Sequence, residues 1–248
     1  MSSSVSNYCL NCGSPVQGNF CTQCGQSIST GRITFKETFS NFLSSTFSFE
    51  GPLLITLHHL FLKPGTLFRE FIAGKRKKYY QPVQFYVLLT AVYLIVRALL
   101  DYDPLEGRID FVDEQGAVVI GKSKEAARFM VDNINNILFF LVFSIAIMLK
   151  LLYRKQYNLA EYTSVGLFIT GIYLLLSIVM MIAVTLFNFN GYRLQLLVIF
   201  LLIGYSTGSL FNKFNFGSIL KYLMVSVFSL IGYILLGFGF SFLMVSLR

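Results

Sequence analysis

Thr163-Ser-Val-Gly-Leu-Phe-Ile-Thr-Gly-Ile-Tyr-Leu-Leu-Leu-Ser-Ile-Val-Met-Met-Ile-Ala-Val-Thr-Leu-Phe187 runs for 25 residues without a formal charge. Wound as an α-helix it is about 37 Å long at 1.5 Å per residue, longer than the roughly 30 Å hydrocarbon core of a bilayer, so it crosses with tilt. A helix apolar on every face belongs in a large protein core or in a membrane, and the rest of the chain decides between them. Four further apolar runs, 82–100, 134–152, 194–211 and 222–247, bring the expected spans to about five. Arg97 stands close enough to the end of its run to snorkel out, and Asn135, Asn136 and Lys150 frame the run 134–152. Of 248 residues, 55% are hydrophobic and 13% charged, with mean hydropathy +0.65. Soluble domains carry about 25% charged residues. The chain reads as an all-α polytopic membrane protein. Its first thirty residues are rich in Ser, Gly, Asn and Gln without an apolar h-region, so no cleavable signal peptide is expected and insertion uses an internal span.

Charge placement sets the expected orientation. Eight of the twelve acidic residues fall between Asp101 and Asp132, against four basic residues there. Basic residues gather at the alternate ends of the spans: Lys75, Arg76, Lys77 and Lys78; then Lys150, Arg154 and Lys155; then Lys213 and Lys221. The positive-inside rule places the N-terminus in the cytoplasm and the acidic loop 101–133 outside. The net charge of +8 does not point to nucleic acid, because its one dense block, Lys75 to Lys78, lies just before the first span, where it fixes topology and meets anionic lipid headgroups.

Four cysteines, Cys9, Cys12, Cys21 and Cys24, are written twice as Cys-x-x-Cys-Gly, and no other cysteine follows. Two thiolate pairs on a short hairpin make a tetrahedral zinc site, each turn placing two sulfurs about 2.3 Å from one ion, with Gly13 and Gly25 letting the backbone turn over the metal. The eight residues between the pairs are fewer than the usual template, which shrinks the module. Two disulfides would require an oxidising compartment, and a redox Cys-x-x-Cys pair usually sits in a βαβ context missing here. A segment this small has almost no core, so metal would supply most of its folding free energy, on the order of 10 kcal/mol as in isolated zinc-finger peptides. A reducing cytoplasm keeps such thiols available, so orientation and metal agree. The ribbon has no Lys or Arg between its cysteines, which again disfavours nucleic acid.

Residues 1–26 thus form a cytoplasmic zinc ribbon, 33–74 interfacial amphipathic helices, and 75–248 the transmembrane bundle. In the interfacial part, Phe35, Phe39, Phe42, Leu43 and Phe47 recur at helical spacing over 33–50, with Thr34 and Glu37 as a capping box. The run 53–62 is too short to span, and 66–73 makes a short amphipathic helix with Arg69 and Glu70 on its polar side, stopped at Gly74. His58 and His59 are adjacent and point about 100° apart on a helix, so they suit hydrogen-bonded or interfacial positions better than one shared ion. In the outer loop, 109–112 and 117–120 suggest a hairpin and 122–132 a helix leading into the second span.

Spans three to five carry no Asp, Glu, Lys, Arg or His at their centres, and no His-Glu-x-x-His, Walker or Gly-x-Ser-x-Gly motif is present. This argues against an enzyme, a membrane enzyme using His58 or His59 being the remaining catalytic reading. Gly204-Tyr-Ser-Thr-Gly208 fits a close-packing pattern, read as internal packing before dimerisation.

The stretch Lys63-Pro-Gly-Thr-Leu-Phe-Arg-Glu-Phe-Ile-Ala-Gly-Lys-Arg-Lys-Lys-Tyr-Tyr-Gln-Pro82, together with Asn11-Cys-Gly and Asn19-Phe-Cys-Thr-Gln-Cys-Gly-Gln26, resembles a bacterial membrane family known as domain of unknown function 3667, over roughly residues 9 to 100. The resemblance implies a bacterial inner-membrane location, brings no established activity, and carries over only Cys9, Cys12, Cys21 and Cys24 as metal ligands. The expected function is a non-catalytic scaffold or regulator presenting the ribbon to a cytoplasmic protein partner. The alternative is a transporter, channel or lipid-handling protein in which the ribbon is a folding clip.

Overall fold

The computed structural model describes residues 8–16, 18–28, 34–35, 52–102, 118–187, 192–213 and 215–247. Among these the fold is helical throughout, the extended backbone being confined to two isolated antiparallel bridges, Tyr8 with Pro15 and Phe20 with Ser27. The helices are α1 (Pro52–Leu62), α2 (Pro64–Ile72), α3 (Pro82–Leu99), α4 (Val118–Asp132), α5 (Ile134–Leu152), α6 (Leu159–Phe187), α7 (Tyr192–Phe211) and α8 (Phe216–Ser246).

Local chemistry accounts for several boundaries. Pro64 and Pro82 open α2 and α3 at first-turn positions, where a missing N–H costs nothing. Gly74, at φ +111°, ends the run after α2. At the start of α6, Asn158 and Glu161 cap each other: the Glu161 amide donates to Asn158 Oδ1 at 2.7 Å and the Asn158 amide to Glu161 Oε2 at 2.6 Å. This reciprocal box satisfies two of the orphan donors of a helix start. Lys150 donates to the carbonyls of Arg154 and Tyr157, closing the turn between α5 and α6.

α6 lies at the centre, packed by α1, α3, α5 and α7, while α8 lies against α4, α5 and α7. The continuous core runs through Phe68, Phe85, Leu141, Ile145, Leu149, Tyr162, Phe168 and Ile169. Ser144 Oγ donates to the Ser229 carbonyl at 2.7 Å, one polar tie between α5 and α8. Between α7 and α8, a methyl added at Gly204 would meet Ser226 Oγ at 3.2 Å, and one at Gly208 the Tyr222 ring at 3.5 Å. The glycine pair therefore serves close packing inside the chain. Outward faces stay apolar, with Ile95, Val179, Leu197, Leu235 and Leu243 exposed as lipid-facing side chains would be.

Among the described residues, four stretches of helix are long and apolar enough to cross a membrane: Pro82–Leu99, Leu159–Phe187, Leu194–Phe211 and Phe216–Ser246. By length and composition this is a multi-pass membrane protein. The fifth expected span, 134–152, also forms a helix, the 19-residue Ile134–Leu152. One difference concerns the outer loop. Val118, Val119 and Ile120, expected to form a hairpin strand, are the first residues of α4. A β-branched run follows its surroundings, and here it continues the helical segment 122–132 that packs on α8. The remainder of that hairpin, the acidic loop residues 103–117 and the phenylalanine-rich segment 36–50 lie outside the described residues.

Candidate metal centre

Each Cys-x-x-Cys-Gly segment folds into the same turn. In the first, the Cys9 amide donates to the Ser14 carbonyl and the Gly13 amide to the Cys9 carbonyl, both at 2.8 Å, with Gly13 at φ +75°. In the second, the Cys21 amide donates to the Gln26 carbonyl at 2.8 Å and the Gly25 amide to the Cys21 carbonyl at 2.9 Å, with Gly25 at φ +65°. The positive φ is the reason for glycine at both positions. The two turns face each other and bring four thiols together.

Cys9 Sγ lies 3.5 Å from Cys24 Sγ and Cys12 Sγ 3.6 Å from Cys21 Sγ, and all four sulfurs fall within 4.8 Å of one another. A tetrahedron of sulfurs about 2.3 Å from a central zinc has edges of about 3.8 Å, so the cluster has the size and donor set of a four-thiolate site. A disulfide needs about 2.05 Å between sulfurs, and the four cysteines are free. Cys9 and Cys21 are buried, Cys24 is half-buried and Cys12 exposed. The Ser14 hydroxyl, and then its backbone, draw the Cys12 thiol down to about 6, whereas desolvation pushes Cys24 up to about 11. A bound cation would deprotonate all four.

The ribbon is seated on the body. Gln26 is 3% exposed. Its Nε2 donates to the Gly74 carbonyl at 2.7 Å, and its Oε1 accepts the amides of Arg76 and Lys77 at 3.2 Å each. Asn11 Oδ1 accepts the Lys78 amide at 3.1 Å. The turn receiving these contacts is the basic block itself. Arg76 is 7% exposed, Lys77 is exposed, and Lys75 and Lys78 pair with Glu70 at 2.9 and 2.7 Å. Tyr79 also donates to Glu70 Oε2 at 2.7 Å. Burial pushes the Glu70 carboxyl up, but the hydrogen bonds from Lys78, Lys75 and Tyr79 outweigh it and hold the group at about 2. The block is thus tied into the fold as well as charged.

α2 carries this assembly onto the end of α7. Arg69 Nη1 donates to the carbonyls of Ser209 and Leu210 at 2.6 and 2.7 Å, satisfying acceptors that a helix C-terminus leaves open and placing a cation at its negative pole. The Gly65 amide donates to Ser209 Oγ at 2.9 Å. A methyl at Gly65 would overlap the Ser209 carbonyl and come within 2.7 Å of the Leu210 nitrogen. Tyr205 of α7 returns a hydrogen bond to the Leu62 carbonyl at 3.0 Å. The Pro-Gly-Thr-Leu-Phe-Arg-Glu segment is a docking element, with proline starting the helix, glycine permitting contact and arginine capping the neighbour.

His59 Nδ1 lies 2.9 Å from the Ile55 carbonyl, and its ring meets Tyr79 edge-on at 5.4 Å. His58 is exposed, its ring edge-on to His59 at 5.6 Å, and no cysteine or carboxylate joins the pair in a metal-sized cluster among the described residues. Sequence reasoning found the four cysteines and missed Asn11, Gln26, Glu70 and Arg69 as contacts. Only Glu70, a few positions before Lys75 and Lys78, offered a local signal.

No curated protein and no solved structure matches the chain. Residues 50–94, running from α1 through the basic block into α3 and lying outside the ribbon, match the family described as "Protein of unknown function (DUF3667)".

Proposed function

We propose that this chain is a non-catalytic scaffold or regulator of the bacterial inner membrane. Its N-terminus lies in the cytoplasm, where Cys9, Cys12, Cys21 and Cys24 hold zinc and the ribbon meets a protein partner. The observation that carries the reading is the two-sidedness of the ribbon. Asn11 and Gln26 bind it to the body, while Tyr8 and Phe20, at equivalent places in the two turns, are 63% and 62% exposed. Exposed aromatic side chains on a rigid small module suit protein recognition. The cytoplasmic side follows from the basic ends of the spans and from the reducing environment thiolate sites need. Zinc follows from the sulfur-only donor set. Lys77, with the outer parts of Lys75 and Lys78, would meet anionic headgroups.

The test compares co-purifying partners of the wild type with those of Cys9→Ser/Cys21→Ser and Tyr8→Ser/Phe20→Ser. Partners lost from both variants support the reading, and identical partner sets contradict it.

A second reading, transport or lipid handling with the ribbon as a clip, draws on one observation. An open cleft of about 460 Å³ lies at the opposite end of α3, lined by Leu94, Arg97, Ala98, Asp101, Tyr102 and Asp132. Co-purified lipid or flux in liposomes, lost in Arg97→Ala, favours it, and a lipid-free chain without flux counts against it.

A further inference from the structure

Two ribbon side chains, Gln26 and Asn11, reach the body at the same short turn, residues 74–78. Gln26 bonds the Gly74 carbonyl and the amides of Arg76 and Lys77, and Asn11 bonds the amide of Lys78. Asn11 sits between Cys9 and Cys12 in the first knuckle, and Gln26 lies two positions past Cys24 in the second. The grip therefore works only while the two knuckles hold a fixed relation to each other. Apolar packing does little to fix it: among the described ribbon residues, Cys9 and Cys21 are the buried hydrophobic ones. Beside one exposed tie between the knuckles, Ser14 Oγ donating to Gln23 Oε1 at 2.9 Å, the sulfurs are the main crosslink.

The turn has no regular secondary structure to hold it, since α2 has ended and α3 begins only at Pro82. Its amides at Lys77 and Lys78 find their acceptors on the ribbon, and the Arg76 amide is shared between Gln26 Oε1 at 3.2 Å and the Gly74 carbonyl within the turn at 2.9 Å. The same turn positions Lys75 and Lys78 around Glu70. α2 is seated separately on α7 through Gly65 and Arg69, so that contact does not depend on the ribbon.

We propose that the ribbon is a metal-dependent clip on the basic turn. Metal at the four thiols holds Asn11 and Gln26 in register with residues 74–78, and losing it frees that turn, loosens Lys75 and Lys78 from Glu70 and leaves the seat of α2 on α7 intact. The inference rests on the metal-centre reading above and adds what the metal controls. A juxtamembrane basic surface is fixed while metal is bound and released when it leaves.

The experiment is amide hydrogen exchange on the full-length protein in lipid nanodiscs. Four samples are compared: as purified, after chelation, Gln26→Ala and Asn11→Ala, with metal content measured in each. Chelation is expected to speed exchange across 74–78 about tenfold or more, the scale of losing a buried hydrogen bond, with little change in α2 and the last turn of α7. Gln26→Ala should speed the Lys77 amide similarly, and the Arg76 amide less because the Gly74 carbonyl still accepts it, while keeping its metal, which also certifies its fold. Chelation that removes the metal yet leaves exchange at 74–78 unchanged overturns the proposal, as does an unchanged Gln26→Ala. A wild type that binds no metal defeats the metal-centre reading. In that case fast exchange in Gln26→Ala would show a metal-free clip and overturn the metal dependence proposed here.

Discussion

Gly65→Ala tests whether α2 is seated on α7 as described. The new methyl would overlap the Ser209 carbonyl and reach to 2.7 Å from the Leu210 nitrogen, both backbone atoms of a helix that cannot yield by rotating a side chain. Overpacking of this kind costs about 1–3 kcal/mol, and disturbing the Gly65 hydrogen bond to Ser209 Oγ adds about 1 kcal/mol. A total of about 3 kcal/mol lowers the unfolding midpoint by roughly 6–12 °C, using 2–4 °C per kcal/mol for a chain of this length. The assay is thermal unfolding in one detergent at one scan rate. Gly239→Ala serves as control, because a methyl there meets nothing within 4 Å. Arg69→Ala acts on the same Ser209 and Leu210 carbonyl region, so the double variant should lose less than the sum of the singles, by about 1 kcal/mol or more. A Gly65→Ala midpoint within a degree of the control, or full additivity with Arg69→Ala, would refute the contact.

Further outcomes are expected at the surrounding contacts. Arg69→Lys keeps the charge but not the geometry that serves two carbonyls from one guanidinium, and should cost about 1–2 kcal/mol in the same unfolding assay. Glu70, held at about 2 against an ordinary 4.5, contributes stability that is fully present above pH 4.5 and fades as pH falls towards 2. Glu70→Gln should therefore melt below the wild type at pH 7, with the gap closing across that acid window. Asn158→Ala removes the cap of α6 and should cost about 1 kcal/mol, seen as a midpoint lower by about 2–4 °C.

The features legible in the sequence are those whose cause is local. The cysteine turns are written within a few residues of each other, down to the glycine at each positive φ, and the long spans are visible because an apolar run needs no partner to be recognised. Gln26 meets residues about fifty positions away and Arg69 meets α7 some 140 positions on, and nothing in their neighbourhoods distinguishes them from solvated polar side chains. Val118 to Ile120 misled for a related reason: three β-branched residues suggest a strand until the helix that follows them, and its packing on α8, decide the matter. The Asn158 to Glu161 box is a local signal too, an Asn-x-x-Glu spacing directly before a long apolar run.

The metal content of the purified full-length chain bears most directly on the whole account. About one zinc ion per chain is expected by elemental analysis, retained through dialysis and lost in Cys9→Ser/Cys21→Ser. Purification under reducing conditions that yields folded protein with no bound metal, or a metal content unchanged by those substitutions, would contradict it.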